Sequence, residues 1–135
     1  MFDWLANPNR FNRITEKIQP CILLIAIITL ISGLYFGLFD SPKDYQQGDA
    51  VRIMYVHVPS AWLASFLYFS LAISCVFYLV WKHPLADLVS SSIAPIGALF
   101  SALTLVTGSL WGKPMWGTWW VWDARLTSML VLFFF

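Results

Sequence analysis

Three stretches of this chain, residues 20–39, 59–81 and 88–111, contain no charged side chain. About 20 helical residues at ~1.5 Å each cross a hydrocarbon core about 30 Å thick, so each stretch is long enough to span a bilayer. Across all 135 residues, 59% are hydrophobic and 11% are charged. An average soluble domain is about a quarter charged, so this chain cannot cover its apolar surface with polar side chains in water. The expected architecture is an all-α integral membrane protein, a multi-span helical bundle forming one membrane domain over 1–135. A net charge of +1 supplies no field for nucleic acid or an acidic substrate.

Pro20 suits the first turn of the first span, where its missing N–H costs nothing. The run is longer than the core of a secretory signal, and residues 40–43 lack a small-x-small cleavage pattern, so a retained span is expected. The second run carries Ser60, Ser65, Ser70 and Ser74, which can bond back to helical carbonyls or to a neighbouring helix. In the third, Pro95, Gly97 and Gly108 predict a kinked, closely packed helix. Ala94, Gly97, Ala98, Ser101 and Ala102 offer it a small-residue face. A fourth apolar run occupies 126–135 and reaches about 15 Å, half a bilayer. The reading is three complete spans, the start of a fourth, and a chain truncated at its C-terminus.

Basic residues are tied across the two sides, with Arg10, Arg13, Lys17 and Lys82 against Lys43, Arg52, Lys113 and Arg125. The first segment usually sets orientation, which puts the N-terminus in the cytoplasm. Residues 40–58 and 112–125 then share the outer face, whatever the absolute orientation. Cys21 and Cys75 form no CxxC and no Cys-His pair, and are expected to be small buried hydrophobes rather than a disulfide or a zinc site.

Trp111, Trp116, Trp119, Trp120 and Trp122 fall within twelve residues. An interfacial aromatic belt needs one or two Trp at a helix end and does not explain five packed together, Trp111 and the four of the external loop 112–125. If 116–123 is helical, Trp116, Trp119 and Trp120 lie at i, i+3 and i+4 on one flat face, suited to a large planar ligand. Asp123 then lies on the same stripe; its alternative is the N-cap of the fourth span. Gly112, Pro114 and Gly117 let the backbone turn.

His57 precedes Pro59, which fits the first turn of the second span, so Val58 should be extended and His57 should sit at the outer mouth of that helix. Neutral imidazole there can ligate a metal, although a lone interfacial polar residue is the plainer alternative. An aromatic platform with an imidazole on the same side meets the requirements of a haem site. Arg52, Lys113 and Arg125 can meet propionates, or simply lipid headgroups. His83 reads as a solvated loop residue.

The Trp-rich loop followed by Asp-Ala-Arg-Leu-Thr-Ser (123–128) resembles the "WWD" signature of haem-handling membrane proteins. Within them the chain is most similar to the cytochrome c maturation protein C, or haem exporter protein C, family. Tyr55-Val-His-Val-Pro-Ser-Ala-Trp62 resembles that family's first histidine motif, and the likeness covers essentially the whole chain. Larger relatives that ligate haem to apocytochrome carry Trp-Asp-Pro-Lys-Glu where this chain has Trp122-Asp123-Ala124-Arg125-Leu126, which favours the C protein.

The resemblance implies six membrane helices in a bacterial inner membrane, with the Trp-rich loop periplasmic. It implies non-covalent haem b between two external axial histidines, of which His57 matches the first. It implies presentation of that haem to a periplasmic haem chaperone, cytochrome c maturation protein E, beside a small membrane protein D and ABC-type subunits A and B. It implies no enzyme activity. The resulting expectation is a site made of His57, Trp111, Trp116, Trp119, Trp120, Trp122, Asp123 and Arg125, with Asp123 orienting Arg125 or a ligand imidazole. Two other classes stay open: a quinone-binding subunit of a membrane oxidoreductase, and a membrane scaffold or transport subunit whose Trp loop only anchors it.

Overall fold

The computed structural model describes residues 8–135, and their regular structure is helical apart from one isolated bridge between Asp44 and Gly48. Helix α1 (Pro8–Tyr35) runs into a π-helical turn (Phe36–Asp40). Helices α2 (Val51–Trp81), α3 (Pro84–Trp116) and α4 (Ala124–Phe134) follow. Three of these helices are long and apolar enough to cross a membrane, and the protein is an all-α, multi-pass membrane protein.

The helices outrun their apolar stretches. Helix α1 begins in the polar segment before 20–39, which puts Pro20 inside it. Helix α2 starts at Val51, so Val58 is helical rather than extended, Pro59 is interior, and His57 lies in the second turn instead of at the helix mouth. Membrane helices absorb an interior proline through neighbouring groups. Here Ser60 Oγ donates to Val56 O at 2.7 Å and reinforces that turn. Helix α3 continues past Trp111 and through Pro114, taking the first part of the expected loop into its last turns. At 33 residues it is roughly 50 Å long, more than the hydrocarbon thickness, so its ends reach the headgroup level.

Helices α2 and α3 form a hairpin. Lys82 adopts a left-handed conformation (φ 51°) and its N–H closes on Tyr78 O at 2.8 Å. Extended His83 then leads to Pro84 at the first position of α3. The hairpin closes over small residues: Ser60 and Ala64 on α2 are buried, as are Ser101, Thr104, Thr107 and Gly108 on α3. The expected small-residue face contributes buried Ser101 with half-buried Gly97 and Ala102, and the buried seam continues through Thr104 and Gly108. The hydroxyls of Ser60, Ser65, Ser70 and Thr104 donate to carbonyls of their own helices, so close packing leaves them no unmet donor. Helix α4 docks on this pair through buried Leu126.

Helix α1 is exposed along its length and is pinned at its far end, where Gly37 lies against Tyr55 of α2. A Cβ on Gly37 would stand 3.0 Å from Tyr55 Cβ. Further back, around Gly33 and Leu30, α1 parts from α2 and leaves an apolar cleft of about 490 Å³ facing Pro59, Leu63 and Phe100. Cys21 and Cys75 form no disulfide and are exposed, not buried as expected, and Cys75 Sγ on α2 lies 3.8 Å from Ser90 Oγ on α3. With so few helices packed together, a lipid-facing position counts as exposed.

Candidate functional site

A pocket of about 280 Å³ opens between α2, α3 and α4 at the end of the bundle that holds the 41–50 and 117–123 connections. His57 lines it from α2, Trp111 and Trp116 from the last turns of α3, and Asp123 and Arg125 from the start of α4. The structure therefore gathers five of the expected site residues, from three separate parts of the chain, into one cavity.

His57 projects at α3. Its Nδ1 lies 2.9 Å from Thr107 Oγ1, and its ring rests on Gly108, where a Cβ would come within 3.1 Å of His57 Cε1. The Thr107 hydroxyl also reaches Leu103 O at 2.7 Å and Thr104 O at 3.2 Å. Trp111 and Trp116 meet edge to face, with ring centroids 5.2 Å apart at 87°. The Trp111 indole N–H donates to Gln47 Oε1 at 2.9 Å, which ties the 41–50 connection to the pocket wall. That connection has its own brace: Asp44 Oδ1 accepts from the N–H groups of Gln46 and Gln47 at 2.9 and 2.8 Å.

Asp123 performs two jobs. Its Oδ1 accepts the Leu126 N–H at 2.8 Å, capping α4, and its Oδ2 accepts from Arg125 Nη2 at 2.7 Å and Nε at 3.0 Å. These bonds, the Leu126 N–H foremost and then Arg125, hold its carboxyl below the usual carboxylate range. Arg125 is thereby aimed over the Trp116 ring, 5.7 Å from its centroid. The N-cap and the Arg125-orienting role are both present.

The single flat face of Trp116, Trp119 and Trp120 does not form, because 117–123 is not helical. Gly117 takes φ +77°, its N–H bonds to Lys113 O at 3.0 Å, and α3 stops there. Trp119 and Trp122 point outward, 54% and 75% exposed. Trp120 stacks edge-on against Trp122 at 5.4 Å, and its Nε1 is buried without a hydrogen-bond partner. These three rings lie outside the pocket that contains His57. Of the other cations, Lys113 bonds to Gly117 O and sits over Trp119, while Arg52 reaches Ser41 O at 3.2 Å beside Asp49. Only Arg125 of the three expected cations lines the pocket.

The residues missed at the sequence level are Thr107, Gly108 and Gln47, together with Met54 and Met129 of the pocket lining. Met54, one turn before His57, was within reach of helical spacing. Thr107, Gly108 and Gln47 depend on which helix faces carry them, and no local pattern announces that.

The model of one family, Heme exporter protein C, matches residues 1–135. The chain belongs to the heme exporter protein C family. It is 53% identical over 129 residues to the Heme exporter protein C of Bradyrhizobium diazoefficiens, covering 96% of this chain and 49% of that protein. It is 51% identical over 137 residues to that of Haemophilus influenzae, covering 99% and 56%. A mitochondrial ccmC-like protein of Marchantia polymorpha, named for cytochrome c biosynthesis, is 58% identical over 102 residues, covering 76% and 45%. The chain spans about half the length of the curated relatives it matches. The described residues include no cluster of three or more His, Cys, Asp or Glu able to hold a bare metal ion. A porphyrin-bound iron asks for less, because the macrocycle fills four positions and the protein need supply only axial donors.

Proposed function

We propose that this protein holds haem non-covalently, as haem b, at the outer end of the bundle and presents it to a haem chaperone during c-type cytochrome biogenesis. The observation that carries the reading is the shared pocket: one imidazole, two indoles and an Asp-oriented guanidinium converge on it. The groups suit the ligand, with nitrogen for iron, aromatic surface for the ring and Arg125 for a propionate. The pocket is slightly below the ~300–1,000 Å³ of sites that enclose most of a ligand, so it admits an edge and leaves the rest outside. Exposed Trp119 and Trp122, with Trp120 behind, extend an apolar rim for that outer part. Partial enclosure suits a cargo that must be passed on.

On this reading His57 supplies one axial ligand. His83 lies at the opposite end of the hairpin and is not the second. The protein is a carrier rather than an enzyme. It sits in a bacterial inner membrane with its N-terminus cytoplasmic and the Trp-rich connection periplasmic, where cytochrome c maturation protein E would receive haem. Small membrane protein D and ABC-type subunits A and B are its further proposed partners, and lipid surrounds the spans. The test is the visible absorption spectrum of the detergent-purified intact protein and of its His57→Ala variant. Loss or displacement of the haem bands in the variant is expected. An unchanged haem content and spectrum removes His57 from the site.

A further inference from the structure

We infer that Thr107 is a positioning residue that holds His57 in its Nδ1–H tautomer and so leaves Nε2 as the nitrogen free to bind. The Nδ1–Thr107 Oγ1 distance is 2.9 Å, and the same hydroxyl lies 2.7 Å from Leu103 O. A threonine hydroxyl has one proton and can also accept, while a neutral imidazole has one N–H and one bare nitrogen. If Nδ1 carries the proton, both contacts are hydrogen bonds: Nδ1–H donates to Oγ1, and Oγ1–H donates to the Leu103 carbonyl. If Nε2 carries it, the lone hydroxyl proton must serve either bare Nδ1 or the carbonyl, and one of the two contacts is lost. Thr107 is 7% exposed, so water does not readily restore the missing bond.

The backbone of α3 thus sets the protonation pattern of a side chain on α2, through a hydroxyl held in its own helix. Gly108 completes the seat. With no Cβ it lets the ring edge come close to α3, and a methyl there would stand 3.1 Å from Cε1. The Thr104 carbonyl, 3.2 Å from the Thr107 hydroxyl, adds a second acceptor beside the ring, and the ring itself lines the pocket. An imidazole whose far N–H is already engaged is oriented and made more basic at the ligating nitrogen.

This inference rests on the proposed haem site for its consequence but not for its test. The direct measurement is nitrogen NMR of the haem-free intact protein labelled with 15N-histidine in micelles, with the His57 signals identified by their loss in His57→Gln. A protonated Nδ1 and a bare Nε2 are expected; the reverse pattern, or an even mixture, overturns the inference. Thr107→Val keeps the shape and removes the acceptor, so His57 should become a mixture of tautomers. Haem titrated into this variant should bind about 10–100-fold more weakly, with displaced absorption bands. Thr107→Ser should restore both. A Thr107→Val protein with unchanged tautomer and spectrum overturns the positioning role. If His57→Ala leaves haem binding intact, the proposed function fails while the tautomer result stands on its own.

Discussion

Replacing Gly108 with alanine sets two effects of opposite sign against each other. Inside a helix, alanine is favoured over glycine by about 1 kcal/mol. At Gly108, however, the added carbon would meet His57 Cε1 at 3.1 Å, Leu126 Cδ2 at 3.5 Å and His57 Nδ1 at 3.7 Å. Ordinary carbon contacts optimise at about 3.5–4.0 Å, so the imidazole has to retreat by roughly 0.4 Å. Overpacking of this kind costs ~1–3 kcal/mol. The retreat also stretches the Nδ1–Thr107 bond, whose net value is about 0.5–1.5 kcal/mol. The steric and hydrogen-bond losses outweigh the helix gain, and a net destabilisation of about 1–2 kcal/mol is expected. The assay is unfolding in detergent, alongside Gly33→Ala as the control. The control's added carbon meets nothing within 4 Å, so that variant should be at least as stable as the parent. Haem titration gives a second reading, with affinity at least about tenfold lower for Gly108→Ala and displaced absorption bands. A Gly108→Ala protein that matches the control in stability and the parent in haem spectrum refutes the proposed ring seat.

Asp123→Asn keeps a capping oxygen but drops the charge pair with Arg125, whereas Asp123→Ala loses both. Amide exchange at the start of α4 should therefore accelerate in the alanine variant and much less in the asparagine one. Because the folded Asp123 carboxyl is held below its ordinary range, its contribution is complete above that range and is lost only as pH falls through the depressed value. Acid titration of α4 protection should show no loss between neutral pH and the usual carboxylate region. Gln47→Ala removes the acceptor of the Trp111 indole N–H, at a cost of about 0.5–1.5 kcal/mol, and a cycle with Trp111→Phe should show coupling between the two positions. Gly37→Ala would put a carbon 3.0 Å from Tyr55 Cβ and push α1 off α2, widening a spin-label distance between the helices that Gly33→Ala leaves unchanged.

The spans were readable because uncharged runs are a bulk property that needs no knowledge of partners. Their ends were not. An apolar run marks where lipid lies, whereas a helix stops where its backbone finds a cap, as at Gly117, well past Trp111. The same mistake displaced His57: Pro59 signals a helix start in water, but in this setting it sits within α2. The site was half legible. Clustered indoles, Asp123 and His57 stand out as residue types, and the even number of spans between them put them on one side. Their sorting into a pocket pair, Trp111 and Trp116, and an outer group, Trp119, Trp120 and Trp122, turned on the irregular backbone after Gly117. Thr107 could not be singled out, since a threonine in an apolar helix reads the same whether or not an imidazole faces it.

The pocket takes its walls from α2, from the end of α3 and from Leu126 and Met129 of α4. Those pieces leave the ribosome one after another, and the last of them is some seventy positions behind His57. Until α4 has emerged and settled beside α3, the imidazole is flanked on one side only, with Arg125 not yet in place. A nascent chain that stops short of the fourth helix therefore lacks one wall of this pocket, and on the proposed reading haem seats there only after synthesis has passed that helix.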